Sequence, residues 1–224
     1  MKEVKNFIRL DFRKIIKKKR KSCYKKRNLT KSIQIRLKEE IQNCFEKLEI
    51  IQTGNWIKKV VIGCNFCPFA AKALTKKTVR YVVKEITDFK SALTALAEEF
   101  EFLNSNLNIE TTFIIFSFGF TDFLQYLDLI DKGERLLLKE NYEGVYQLAS
   151  FHPKYLFAGS NENDPANYTN RSPYPMLHIL REDSITKALE NFVDPDSIPE
   201  KNIEFAKTKG ITYMKMLASS CITE

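Results

Sequence analysis

Thr78 to Phe118 reads TVRYVVKEITDFKSALTALAEEFEFLNSNLNIETTFIIFSF, and the periods within it decide the fold class. TVRYVVKEI (Thr78 to Ile86) alternates and is rich in β-branched and aromatic residues, the pattern of a strand. Phe89, Ala92, Leu93, Leu96, Phe100 and Leu103 then recur by threes and fours, which predicts an amphipathic helix. TTFIIFSF (Thr111 to Phe118) is a continuous apolar run too short for a core helix, so it predicts a strand buried on both faces.

Downstream, Phe123, Leu124, Leu127, Ile130 and Leu137 predict a helix over 122–139, with the Thr121 hydroxyl available as its cap. Gly144 to Phe151 and Met176 to Arg181 read as strands three and four. Helices follow over 184–192 and 197–209, the second stopped by Gly210. Strands separated by helices of this length favour crossover connections. The expected fold class is α+β: a small mixed sheet of about four strands with packed helices, in a ferredoxin-like form or as an α/β sandwich.

Upstream, Ile33, Leu37, Ile41, Cys44, Phe45, Leu48 and Ile51 lie on one helical stripe, and a second short piece is expected after Gly54, ending at Gly63. In GCNFCPFAAKAL (Gly63 to Leu74), Pro68 suits the first turn of a helix, which puts Cys67 at the N-cap. A thiol there faces unpaired N–H groups and the positive end of the helix dipole, and both favour thiolate.

The chain has 224 residues, 44% of them hydrophobic, enough for one core. The net charge of +8 is unevenly spread. Residues 1–32 carry fourteen Lys and Arg, including KKKRK (Lys17 to Lys21), against Glu3 and Asp11, and the remainder of the chain is net acidic. The expected organisation is a basic extension over 1–32 and a single domain over 33–224. Nucleic acid would be a partner through the basic tail only, because a slightly acidic domain is a poor polyanion binder. No apolar run approaches the roughly 18 residues of a membrane span. Five cysteines, with no export signal at the start, suggest free thiols in a reducing, cytoplasmic compartment. Organelle or nuclear targeting by the tail is the competing expectation.

The stretch SFHPKYLFAGSNENDPANYTNRSPYPMLHILRE (Ser150 to Glu182) holds both histidines of the protein, His152 and His178. The loop between them, 153–175, is longer than a compact domain ordinarily tolerates without a role. Tyr155, Phe157, Tyr168 and Tyr174 give it material to fold down on itself, as an Ω-loop does. Arg171 offers a forked, permanently charged donor for carboxylate or phosphate, and Asn167 and Asn170 offer donors and acceptors.

CNFCPFA, VRYVV (Val79 to Val83), LASFHPKYLFAG (Leu148 to Gly159) and NYTNRSPYPMLHILRE (Asn167 to Glu182) resemble the signatures of domain-of-unknown-function family 1415, over roughly 56–210. The family pattern carries a thiol at Cys67 and an aliphatic residue where Cys64 stands here. The resemblance implies no activity.

Three functional readings follow. In the first, a small-molecule enzyme uses Cys67 as nucleophile or redox thiol, His152 as base and His178 as second base or orienter, with Arg80, Asn167, Asn170, Arg171 and Tyr174 binding an anionic substrate. In the second, Cys64, Cys67, His152 and His178 hold zinc, a donor set of the right softness; the family pattern would allow the version with Cys67, His152 and His178 alone. In the third, the chain is a non-catalytic domain whose Arg and Asn loop clasps a small anionic molecule, and Cys67 is a packing residue.

Overall fold

A computed structural model describes residues 48–190 and 194–222 of the chain. The described residues all fall within one compact unit. The expectations placed on the basic tail and on the stripe from Ile33 to Phe45 lie outside the described residues.

Four strands, β1 (Val79–Lys84), β2 (Thr111–Phe116), β3 (Tyr146–Phe151) and β4 (Met176–Arg181), form one sheet in the order β1-β2-β4-β3. β1 and β2 are parallel, with Tyr81 opposite Phe113. β4 runs antiparallel to both neighbours, with His178 between Phe113 and Ala149. β3 therefore points the same way as β1 and β2, and each of those strands delivers its carboxyl end to one edge of the sheet.

Helices cover both faces, so the α/β sandwich is the form adopted. α1 (residues 48–56, continued by π-helical turns over Ile57–Ile62) and α2 (Ala70–Lys76) precede β1. α3 (Phe89–Ser105) joins β1 to β2, and α4 (Phe123–Lys139) joins β2 to β3. α5 (Glu182–Leu189) and α6 (Ile198–Ser220) follow β4.

Side-chain alternation divides the sheet between two cores. Ile114, Phe116, Leu148, Leu177 and Ile179 face Leu96, Phe100, Leu103, Tyr126 and Leu129 of α3 and α4. Phe113, Ile115 and Met176 face Trp56, Ile57 and Val60 of α1 with Ala206 and Met214 of α6. Every residue of β2 is buried, as a strand sandwiched between two helical layers must be. Gly133 brings α4 close to the sheet: a Cβ there would stand 3.2 Å from both Leu148 and Leu96.

Buried and half-buried polar groups staple the layers. Arg181 closes the end of α3, donating to the Leu103 carbonyl and, at 2.9 Å, to that of Ile109. Tyr126 donates to the Met176 carbonyl at 2.6 Å and accepts from the Phe151 amide at 2.9 Å, tying α4 to β3 and β4 at the carboxyl edge. Among the described residues, no helix is long and apolar enough to cross a membrane.

Several local expectations differ from what is observed. α1 passes through Gly54 without a break, and its buried face is Glu49, Gln52, Thr53, Trp56, Ile57 and Val60, while Ile51 is 45% exposed. Polar residues occupy buried positions because they have partners: the Gln52 amide donates to the Ile222 carbonyl at 2.9 Å. The cap of α4 is the Asp122 carboxylate, which accepts from the Gln125 amide at 3.0 Å, and not Thr121. Gly210, at φ 77°, interrupts α6 as expected, but the chain resumes the helix beyond it.

Candidate ligand-binding loop

Loop 153–175 runs from the carboxyl end of β3 to the start of β4 and is held by its own polar groups and by bonds to α1, such as the Trp56 Nε1 donating to the Arg171 carbonyl at 2.9 Å. Pro165–Thr169 forms a 3-10 turn, begun by the Asp164 carboxylate accepting from the Ala166 amide at 2.9 Å. At its centre lies Asn167, fully buried. The Asn167 Oδ1 accepts from the Phe157 amide and the Ser160 hydroxyl, both at 2.9 Å, and its Nδ2 donates to the Asn161 carbonyl at 2.8 Å. Asn167 therefore organises the loop and presents nothing to a ligand. Asn170 acts the same way. Its carbonyl accepts from the His152 amide at 3.2 Å, its Oδ1 accepts from the Thr169 hydroxyl at 3.0 Å, and its Nδ2 reaches the Ser150 carbonyl.

Arg171 differs from both asparagines. Its guanidinium packs 4.7 Å from the centre of the Tyr168 ring. Nε donates to the Tyr155 carbonyl at 3.0 Å, and Nη2 donates to the Glu162 carbonyl at 3.1 Å at the exposed end. Two of the five guanidinium donors are used, leaving three. Both acceptors are neutral carbonyls, and among the described residues no carboxylate pairs with this charge. Lys215, on α6, approaches the same segment, with its Nζ 3.5 Å from Asn163 Oδ1. Two cationic heads thus meet adjacent residues of one loop. Lys215 was not legible as part of a site, because nothing near it in sequence marks it and only the packing of α6 brings it there.

The remaining expected site residues are dispersed. Arg80 lies on the α3 face of the sheet, paired with the buried Glu99 at 2.8 and 3.1 Å and stacked on Phe102, so it braces β1 against α3 and is remote from the loop in role. The Tyr174 hydroxyl donates to Gln52 Oε1 at 2.5 Å, and burial pushes its pKa up. That residue ties the loop end to α1.

The two histidines stand on opposite faces of the sheet. His152, just beyond β3, is fully buried against Phe123 and Tyr126 of α4. Its Nδ1 accepts from the Lys154 amide at 2.9 Å, which leaves Nε2 to carry the proton and donate to the Phe120 carbonyl at 2.9 Å. Both nitrogens are committed to backbone, so this imidazole has no lone pair left for a base or a metal ligand. Burial holds its pKa below the ordinary value. His178 stacks flat on Phe113, with ring centres 3.8 Å apart at 7°, on the face shared with α1 and α6. The Thr111 hydroxyl donates to the Ile179 carbonyl at 2.6 Å and accepts from His178 Nε2 at 2.5 Å. Burial pushes the His178 pKa down to about 3.

Cys67 is half-buried in the turn between α1 and α2, the helix itself starting at Ala70 with Phe69 as its cap residue. Burial raises the thiol pKa more than the Phe69 and Ala70 amides lower it. Cys64 is buried in the core beneath α1 and α6, where burial likewise raises its pKa. Among the described residues, no three His, Cys, Asp or Glu side chains converge as a metal site would require.

No curated protein and no solved structure matches the chain. A family model described as a protein of unknown function matches residues 49–216, which takes in every strand, the long loop and most of the helical layers. The chain therefore belongs to that family, DUF1415.

Proposed function

We propose that this protein is a non-catalytic binding domain for a small anionic molecule, seated on loop 153–175 at the Arg171 guanidinium with Lys215 at its margin. The observation that carries this reading is a fixed cation with no carboxylate within ion-pair distance among the described residues. Arg171 is pinned by two carbonyls and an aromatic face, keeps three donors, and has no carboxylate partner among the described residues. Its side chain is ordered before a ligand arrives, which lowers the entropy cost of binding. A planar fork so held suits phosphate or carboxylate better than a mobile ammonium does.

Catalysis by Cys67 with a histidine has less support. His152 has no free nitrogen, and His178 is half-buried in an aromatic stack with a pKa far below neutrality. A thiol without an acid–base partner and with a raised pKa is a weak nucleophile.

Calorimetric titration of the full chain with inorganic phosphate tests the proposal. Saturable binding at one equivalent is expected. Arg171→Gln should weaken it at least tenfold, and Lys215→Ala, at an exposed position, should weaken it about two- to fivefold by losing one surface charge. The basic extension attracts anions in all three proteins, so dependence on Arg171 separates the seat from the tail. Unchanged phosphate binding in a folded Arg171→Gln variant overturns the reading, and so does the absence of saturable binding in the unaltered chain.

A further inference from the structure

α4 (Phe123–Lys139) covers the sheet with one side and turns the other outward, and that outer side is not the wholly polar face a solvated helix carries. Leu124, Leu127 and Leu138 are 72%, 42% and 52% exposed. Between and beside them stand Asp128, Asp131, Arg135 and Lys139, all exposed. At about 100° per residue, these side chains all leave the helix within about 80° of Asp131, so they form one continuous stripe. A single exposed leucine is ordinary, but three on one stripe make an apolar surface that gains from cover. The charges on the stripe are divided, with Asp128 and Asp131 preceding Arg135 and Lys139. A helix so divided is complementary to itself when turned end for end.

We infer that the outer face of α4 is an interface between two copies of this chain, packed antiparallel about a two-fold axis. One register satisfies the stripe. Setting Asp131 opposite Arg135 of the second copy puts Leu127 within one residue of Leu138 and Asp128 within one residue of Lys139, and symmetry makes each contact twice. The contacts also fall on matching flanks: Leu127 and Leu138 lie to one side of Asp131, and Asp128, Arg135 and Lys139 to the other. Within one chain Asp131 already holds Arg135 at 2.7 Å. The two-fold gathers two such pairs into a network of four alternating charges, which contributes more than isolated surface pairs do. Glu134, at the margin of the stripe, is the one exposed charge this register leaves without an opposite. The helices overlap over residues 127–139, about 18 Å. A contact of that size is smaller than a standard interface, so association is weak, with a Kd on the order of 10–100 µM. None of this rests on the anion seat at Arg171.

Sedimentation equilibrium of the full chain, from tenfold below to tenfold above that Kd, tests the inference. The weight-average mass is expected to climb from 26.1 kDa towards twice that value. Asp131→Arg alone and Arg135→Asp alone should each weaken association about five- to tenfold, because each makes the central contacts between copies repulsive. Mixing the two variants in equal amounts should restore it, since a mixed pair again sets opposite charges at both contacts. The altered charge within each helix persists in the mixture, so the recovery reads the contact between copies alone. Leu138→Gln, also at an exposed position, should weaken association with no change of charge. A mass that stays at 26.1 kDa throughout overturns the inference. So does association that is unchanged in the three single variants, or a mixture that associates no better than either charge variant by itself.

Discussion

Replacing Asn167 by alanine should unfasten the long loop, and the size of the effect follows from its partners. The side chain is fully buried and makes three hydrogen bonds of 2.8 to 2.9 Å within the loop. Truncation leaves the Phe157 amide without a partner and the Asn161 carbonyl with the Asp164 amide alone, while the Ser160 hydroxyl can turn to water. At about 1 kcal/mol for each bond, the expected loss is about 3 kcal/mol. For a domain of this size, that corresponds to a fall in Tm of about 6–12 °C if the loop unfolds with the core. If the loop opens separately, the loss appears instead as faster amide exchange at Phe157 and Ser160. Urea unfolding and native-state exchange on the same variant distinguish the two outcomes. Asn167→Asp keeps both acceptor bonds but sets a buried carboxylate against the Asn161 carbonyl, so it should be at least as damaging. A loss below about 0.5 kcal/mol, with exchange at Phe157 unchanged, would refute the assignment of Asn167 as the loop's organiser.

Three further outcomes are expected. His178 has a native pKa of about 3 against an unfolded value near 6.5, so the unfolded chain binds the extra proton between those limits. Stability should therefore fall as pH drops below about 6.5, by up to about 1.4 kcal/mol per unit from this group, and His178→Phe should flatten that slope in urea unfolding followed against pH. Glu99→Leu leaves Arg80, partly exposed, without its partner, whereas Arg80→Leu strands the buried Glu99 carboxylate; the second should cost more, about 3 kcal/mol, and equal losses would count against the burial argument. Iodoacetamide should alkylate Cys67 with an apparent pKa above the usual value of about 8.5, and a reactive thiolate at pH 7 would revive the nucleophile reading.

Elements whose pattern is local were legible in the sequence. α3 is observed over Phe89–Ser105, as its stripe of Ala92, Leu96, Phe100 and Leu103 demands, and β4 occupies Met176–Arg181 as expected. β2 was recognisable because a strand between two helical layers cannot alternate. α1 was misread at Ile51 and Gly54, since its buried face carries Gln52 and Thr53, whose partners Ile222, Tyr174 and Met176 lie more than 120 positions away. The same limit applied to the site. Loop 153–175 could be singled out from its length and polarity. Whether Arg80, Asn167 or Arg171 spends its polar groups inside the protein depends on Glu99, Phe157 or Tyr155, and no local spacing encodes those pairings. The histidines drew attention by rarity and by flanking the long loop, while the parity of β3 and β4 sends them to opposite faces.

The central claim is that the Arg171 guanidinium, fixed on two carbonyls and an aromatic ring, holds a charge that an external anion neutralises. Phosphorus-31 line broadening of dilute phosphate, recorded with the unaltered chain and with Arg171→Lys, measures this most directly, because lysine keeps the charge but loses the fork. Saturable broadening that drops severalfold in the lysine variant is the predicted result. Identical broadening in the two proteins would contradict the account.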